Sequence, residues 1–399
     1  MSNDTRPEIR FPGFTEDWEE RKLIDLVVRL NKSTNSSRLP KVEFEDIVAG
    51  EGRLNKDVSQ KFDNRKGIEF LPNDILYGKL RPYLKNWLKA TFTGVAIGDF
   101  WVFRAKKSDS DFIYSLIQAD RYQKAANDTS GTKMPRSDWK KVSDTVFYIP
   151  NYLKEQQKIG IFFKKLDDTI ALHQRKLDLL KETKKGFLQK MFPENGAKVP
   201  EIRFPGFTED WEERKLGELG KTQSGIGFPD AEQGGSEGTP FFKVSDMNNI
   251  GNEYEMRNAN HYVSNEQIER KKWKPIKDVP AIIFAKVGAA IMLNRKRLVT
   301  SPFLIDNNTM AYLFNNTWDI YFGKILFETI NLPRYSQVGA LPSYNSSDIE
   351  NISVKVPVKD EQQKIGTFFK QLDDTIALHQ RKLDLLKETK KSFLQKMFV

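Results

Sequence analysis

Apolar residues recur at alternating spacings of four and three through residues 155–193, where Ile159, Phe163, Leu166, Ile170, Leu177, Leu180, Phe187 and Met191 share one seam interrupted by His173 and Lys184. This heptad rhythm predicts one long coiled-coil helix, roughly 58 Å at 1.5 Å per residue. The stretch returns at 361–399 with four changes in thirty-nine positions. A second seam therefore runs through Ile365, Phe369, Leu372, Ile376, His379, Leu383 and Leu386. Two such helices are expected to pair as an antiparallel coiled coil, with His173 and His379 near its pseudo-twofold axis, where they serve as polar register markers. Elsewhere the pattern is shorter. β-rich runs between turn residues occur at 67–78, 100–103 and 146–149, and 111–126 has helical spacing. Together they predict an α+β globule.

A second repeat sharpens this organisation. PEIRFPGFTEDWEERKL at 7–23 recurs unchanged at 200–216. In both copies an Asp/Glu pair, Asp17 with Glu20 and Asp210 with Glu213, stands at capping-box spacing and predicts a short helix. Between the repeated segments lie two dissimilar inserts, 24–154 and 217–360. DILYGK at 74–79 matches AIIFAK at 281–286, and GTKMP at 131–135 matches GALP at 339–342, in the same order. The inserts therefore share one fold and differ at the surface. The division is a first globular domain over 1–154 (frame segment 7–23), a central helix over 155–193, a second domain over 194–360 (frame segment 200–216), and a C-terminal helix over 361–399.

Composition narrows the class. No cysteine is present, so disulfides and thiolate metal sites are unavailable. The polar N-terminus and the absence of a long apolar tract point to a cytoplasmic protein. The formal net charge of +10 favours a polyanionic partner. Its excess lies on the first insert, at +7, and on the long helices, while the second insert is neutral overall. Anion binding there must rest on local clusters.

The tandem frames, the EQQKI helix start after Pro150 and Pro357, the DILYGK strand and the GTKMP turn together resemble the specificity subunit of a type I restriction-modification enzyme. The resemblance covers nearly the whole chain. It implies two target recognition domains that each read one half of a split double-stranded DNA site. It also implies long helices that space these domains and dock two methyltransferase subunits, with motor-nuclease subunits joining that core.

In such a protein phosphate contacts supply affinity and base edges supply sequence choice. Candidates beside the two shared motifs are Lys79, Arg81, Lys133 and Arg136 in the first insert. In the second they are Lys286, Asn294, Arg295 and Arg297, with Ser343, Tyr344 and Asn345 after the turn. Arg and Asn suit bidentate contacts to guanine and adenine. The run RKKWK at 270–274 fits a cation-aromatic site and an exposed helix end equally well.

Catalytic signals are weak. Three histidines, two of them on the helices, leave little for a triad or a zinc site. No Pro-Pro dipeptide exists for an adenine-methyltransferase motif, and Gly225 and Gly227 form no phosphate cradle. The expectation is a non-catalytic DNA-specificity subunit without cofactor or metal. The alternative is a coiled-coil scaffold that recognises proteins.

Overall fold

The computed structural model describes residues 6–129, 133–194, 196–337 and 341–398. The chain folds into two compact units that are not consecutive in sequence. The first comprises the described residues up to Arg175 with those from His379 onward, and the second is Lys176–Leu378. The long helices, Leu153–Lys190 and Lys359–Met397, therefore each contribute one stretch to each unit.

In the first unit an antiparallel sheet is ordered Val27–Leu30, Phe100–Ala105, Ile75–Gly78, Trp87–Lys89. Successive side chains of a strand point to opposite faces, and here both faces are covered. Ile75, Tyr77, Trp101 and Phe103 join a core with the helices Ser110–Leu116 and Asp120–Asn127. Leu76 and Val102 face the other way, onto Val42 and Phe70 of a second sheet. That sheet is ordered Ser33–Thr34, Gly67–Phe70, Gly94–Ala96, Lys41–Val42.

The second unit repeats this layering with other residues. Its antiparallel sheet is ordered Gly220–Ser224, Thr309–Phe314, Ala281–Ala285, Lys296–Val299. Ile282, Phe284 and Tyr312 pack with Phe322 and Phe327 of the helix Ile320–Thr329. Ala281 and Ile283 pack with Phe242 and Phe303 on the opposite face.

Two local expectations change. The capping-box signal at Asp17 and Glu20 does not start a helix, because Glu19–Lys22 is a strand paired antiparallel with Val146–Ile149. Asp17 instead pairs with Arg6, and in the second copy Asp210 pairs with Lys198 while Glu212–Lys215 pairs with Ser353–Val356. Only Leu23–Leu26 is helical, without a side-chain cap. The helical spacing at 111–126 resolves into two helices, and the second opens on Asp120, whose charge suits a helix N-terminus.

The repeated motifs form the joint between frame and insert in each unit. Arg10 donates to Glu155 through Nε and Nη2, at 2.6 and 2.8 Å, and Glu155 is fully buried. Arg203 and Glu361 repeat the bidentate pair at 2.7 and 2.8 Å. Next in EQQKIG, Gln156 accepts from the Asp109 N–H and donates to Pro150 O; Gln362 does the same with Asp319 and Pro357. Asp109 and Asp319 in turn cap the N-termini of the insert helices. The motif's glycine permits the approach, since a Cβ at Gly160 would lie 2.7 Å from Phe112 N.

Within each unit the helix stretches run antiparallel. Phe162 meets Phe393 at 4.9 Å, Lys390 pairs with Asp167 at 2.6 Å, and His173 Nδ1 lies 3.1 Å from His379 Nδ1 in the first. Phe187 meets Phe368 at 5.0 Å and Lys184 pairs with Asp373 at 2.8 Å in the second. Of the seam positions, Ile159, Phe163, Leu177, Ile365, Phe369, Ile376 and Leu383 are fully buried. Leu166, Ile170, His173, Leu180, Leu372, His379 and Leu386 are half-buried.

The Asp–Lys pairs of the helices meet different insert residues. In the first unit Lys390 also donates to Gln118, and burial near Asp167 pushes the Tyr114 hydroxyl well up. In the second unit Lys324 bonds to Asp373, and Glu328 accepts from Lys184 at 2.6 Å and pairs with Lys324 at 3.2 Å. Burial alone would raise Glu328, but Lys324 and Lys184 pull it below the usual carboxylate range. Both sets are neutral overall: one ion pair beside Tyr114 and Gln118, or two ion pairs.

Candidate nucleic-acid interface

In the first unit the two shared motifs come together. Leu80 and Arg136 form an antiparallel bridge, the Arg81 N–H donates to Pro135 O at 2.7 Å, and the Ser137 N–H donates to Lys79 O at 2.8 Å. Gly131 and Thr132 of the turn motif lie outside the described residues, as do Gly339 and Ala340 of its counterpart. The bridge gathers Lys79, Arg81, Lys133 and Arg136 on one loop cluster. Asp99, which the sequence gave no reason to single out, organises it by accepting from Arg136 at 2.8 Å and pairing with Lys79 at 3.6 Å. Arg81 and Lys133 are exposed, and Arg136 retains 61% side-chain exposure despite its pair.

The second unit builds the corresponding bridge between Val287 and Ser343, with the Tyr344 N–H donating to Lys286 O and the Gly288 N–H to Pro342 O. Its polar candidates differ in availability. Lys286 and Arg295 are partly exposed, and Arg295 bonds to Asn248. Arg297 donates to the carbonyls of Asn252, Lys296 and Met247, and burial pushes its guanidinium below the usual range. Asn294 bonds to Leu332 N and Ile330 O, and so ties two turns together. Tyr344 is 1% exposed with its ring against Phe284, which leaves it no surface for a duplex as placed. Ser343 is half-buried, while Asn345 is exposed and starts the helix Ser346–Glu350.

The basic run at 270–274 follows its helix-end reading. Arg270 and Lys271 close the helix Asn265–Lys271 and pair with Glu232, while Trp273 packs edge-on against Phe241 at 5.3 Å. Among the described residues no group of three or more His, Asp or Glu is placed to hold a metal ion, and no helix is long and apolar enough to cross a membrane.

Sequence reasoning also missed exposed apolar residues in two places. Leu172 and Leu385 on the helices of the first unit are 57% and 67% exposed, and Leu179 and Leu378 in the second are 67% and 57% exposed. At the loop clusters, Tyr83, Leu84 and Met134 are exposed in the first unit, and Met292, Leu293 and Leu341 in the second.

Comparison with known proteins gives these features a setting. The model of the type I restriction modification DNA specificity domain matches residues 15–182 and again 208–388. The chain is 24% identical over 314 residues to the specificity subunit of type I restriction enzyme MjaVIII from Methanocaldococcus jannaschii, spanning 72% of this chain and 68% of that one. Its fold is similar to that of the S subunit of a type I restriction-modification system from M. genitalium, with a TM-score of 0.66 at 13% identity and 99% of both chains covered. A structure described for complex assembly and conformational transition of the type I R-M system gives 0.53 at 17% identity, covering 94% of this chain and 96% of that one.

Proposed function

We propose, from the premise that this chain belongs to the type I restriction-modification DNA specificity family, that its two inserts each read one half of a split DNA target. The chain's part in that system is DNA specificity. Adenine methylation and restriction are assigned to partner subunits, and the chain itself supplies no cofactor and no catalytic group. The duplication carries this reading. Identical frames at 7–23 and 200–216 hold inserts whose loop clusters sit on the same strand-to-turn bridge but present different side chains. Equal frames suit two copies of one partner. The leucines repeated on the helix surfaces support a docking face for two methyltransferase subunits, because apolar side chains so exposed mark interaction surfaces. Cationic loops suit phosphate contact, with neighbouring polar groups left to read base edges.

The test is the methylome of a cell carrying the complete system, followed by exchange of the 217–360 insert for another. A two-part motif is expected, and the exchange is expected to alter one half alone. Absence of a split motif sinks the reading; alteration of both halves removes its modularity.

A further inference from the structure

The loop clusters hold a feature that charge and hydrogen bonding leave unexplained. In the first unit the turn Pro82–Leu84 lifts Tyr83 and Leu84 into solvent, 55% and 40% exposed. The antiparallel bridge that sets Arg81 beside Pro135 brings Met134, 53% exposed, alongside. In the second unit the turn Ala289–Leu293 exposes Met292 at 64% and Leu293 at 58%. Leu341, 58% exposed, reaches over Gly288 at the start of that turn. The turn Leu332–Tyr335, held by Asn294, adds Arg334 and the 44%-exposed Tyr335.

Both turns are fixed in the same manner. Arg81 and Lys85 flank the first with φ of +48° and +57°, and Gly288 and Asn294 flank the second with φ of +89° and +50°. Left-handed backbone is unfavourable for Arg and Lys, and such strain persists where a side chain must be aimed. The two inserts differ in sequence, yet each exposes a trio of large apolar side chains on loops that also carry cations: Arg81, Lys85, Lys133 and the Asp99-paired Arg136 in one, Lys286, Arg295 and Arg334 in the other. An apolar tip flanked by cations is poorly matched to an ordinary apolar protein face. It matches a polyanion whose groove floor carries apolar groups.

We propose that each tip is an apolar wedge that presses Tyr83 and Leu84, or Met292 and Leu293, onto a base step of duplex DNA while the surrounding cations hold the phosphates. The proposal rests on the DNA-reading function above and adds to it a contact that is neither phosphate nor hydrogen-bonded base readout. Apolar side chains meet DNA in two ways, by packing on thymine methyls in the major groove or by entering between steps in the minor groove.

The experiment uses the full chain with its methyltransferase subunits, a duplex carrying the site found in the methylome, and a scrambled duplex of equal length. Binding is followed by anisotropy across a salt series for Tyr83→Ser/Leu84→Ser and for Met292→Ser/Leu293→Ser. Site affinity is expected to fall about tenfold or more, as loss of a buried apolar contact implies. The slope of log K against log salt is expected to stay unchanged, since no counterion-releasing contact is lost. Affinity for the scrambled duplex should change little. Deoxyuridine in place of the site's thymines is expected to leave the parental affinity intact, as a contact with a base step requires; a loss matching that of the double variants would assign the tips to thymine methyls and overturn the wedge.

Unchanged site affinity in both variants overturns the proposal. So does an equal loss on both duplexes, or loss of the methyltransferase subunits on purification, which marks the tips as protein contacts. Should either double variant fail to show the parental melting transition, Met134→Ser and Leu341→Ser put the same question. If the parental complex itself does not prefer the site duplex, the function proposed above fails first, and the wedge with it.

Discussion

At the residue scale, sequence gives Arg81 and Arg297 equal standing, and their surroundings separate them. Arg297 spends its N–H groups on three backbone carbonyls. Arg297→Ala is therefore expected to lower stability by about 2 kcal/mol through unpaired buried acceptors, visible as an earlier melting transition. Arg81→Ala should leave melting unchanged while weakening DNA binding on every sequence and reducing the salt slope by about 1. Lys296 offers a pH test. Burial pushes its ammonium down to about 8 from 10.5. Below pH 8 the folded and unfolded chains both hold the proton, and the folded chain bears the whole cost of the buried charge. From about 8 to 10.5 only the unfolded chain keeps it, so stability rises with pH in that window. Lys296→Met removes that cost together with the Nζ bond to Ile330 O, and is expected to melt above the parent at pH 7, with the margin narrowing as the window is crossed. Sequence could single out Lys79, Arg81 and Arg136 beside two shared motifs, but not the bridge between Leu80 and Arg136 that brings those motifs together. It could not show that Tyr344 is buried or that Asp99 anchors the cluster, because both depend on which face of a strand meets which loop.

At the element scale, the helix seams were legible because a heptad rhythm survives without tertiary information. The capping-box signal failed because ladder pairing with Val146–Ile149 outweighed a local preference. The role of EQQKIG was invisible until its Glu, Gln and Gly were seen to hold the frame arginine, the insert helix and the space between them. Its glycine should resist change: Gly160→Ala would place a Cβ 2.6 Å from Asp109 Oδ1 and is expected to destabilise by about 1–3 kcal/mol. Gly186 has open space around it and is serine in the other copy. There alanine is expected to stabilise by about 0.5–1 kcal/mol. The two melts should shift in opposite directions. The neutral sets at the helix–insert joint make a sharper prediction. Lys324→Tyr alone leaves Asp373 and Glu328 short of a cation and is expected to cost about 3–5 kcal/mol. Adding Glu328→Gln reproduces the partners found in the first unit, and should recover most of that loss in denaturant titration.

At the scale of the whole molecule, residues 379–399 of the first unit are repeated at 173–193 apart from Gly186 and Pro193. A chain ended near residue 199 therefore carries a replacement for its own missing helix stretch, available from a second copy. Such a half-chain is expected to sediment as a dimer and to read a symmetric site; a strictly monomeric product would count against the pairing. The duplication was plain in the sequence, whereas the division of each helix between two units was not, because nothing in the heptads marks where contacts change sides. The two Arg–Glu joints carry a last consequence, for how the chain reaches its fold. Arg10 lies 145 residues from Glu155 and Arg203 lies 158 from Glu361, yet Arg203 is closer along the chain to Glu155 than to its own partner. Loop-closure entropy favours that wrong closure by about 1 kcal/mol. Since the two sockets are chemically alike, the Arg–Glu contact itself does not correct this bias, and timing does. Synthesis from the N-terminus lets Arg10 occupy Glu155 before Arg203 leaves the ribosome, whereas a denatured full-length chain begins with both closures open and is exposed to misjoined states that the nascent chain avoids.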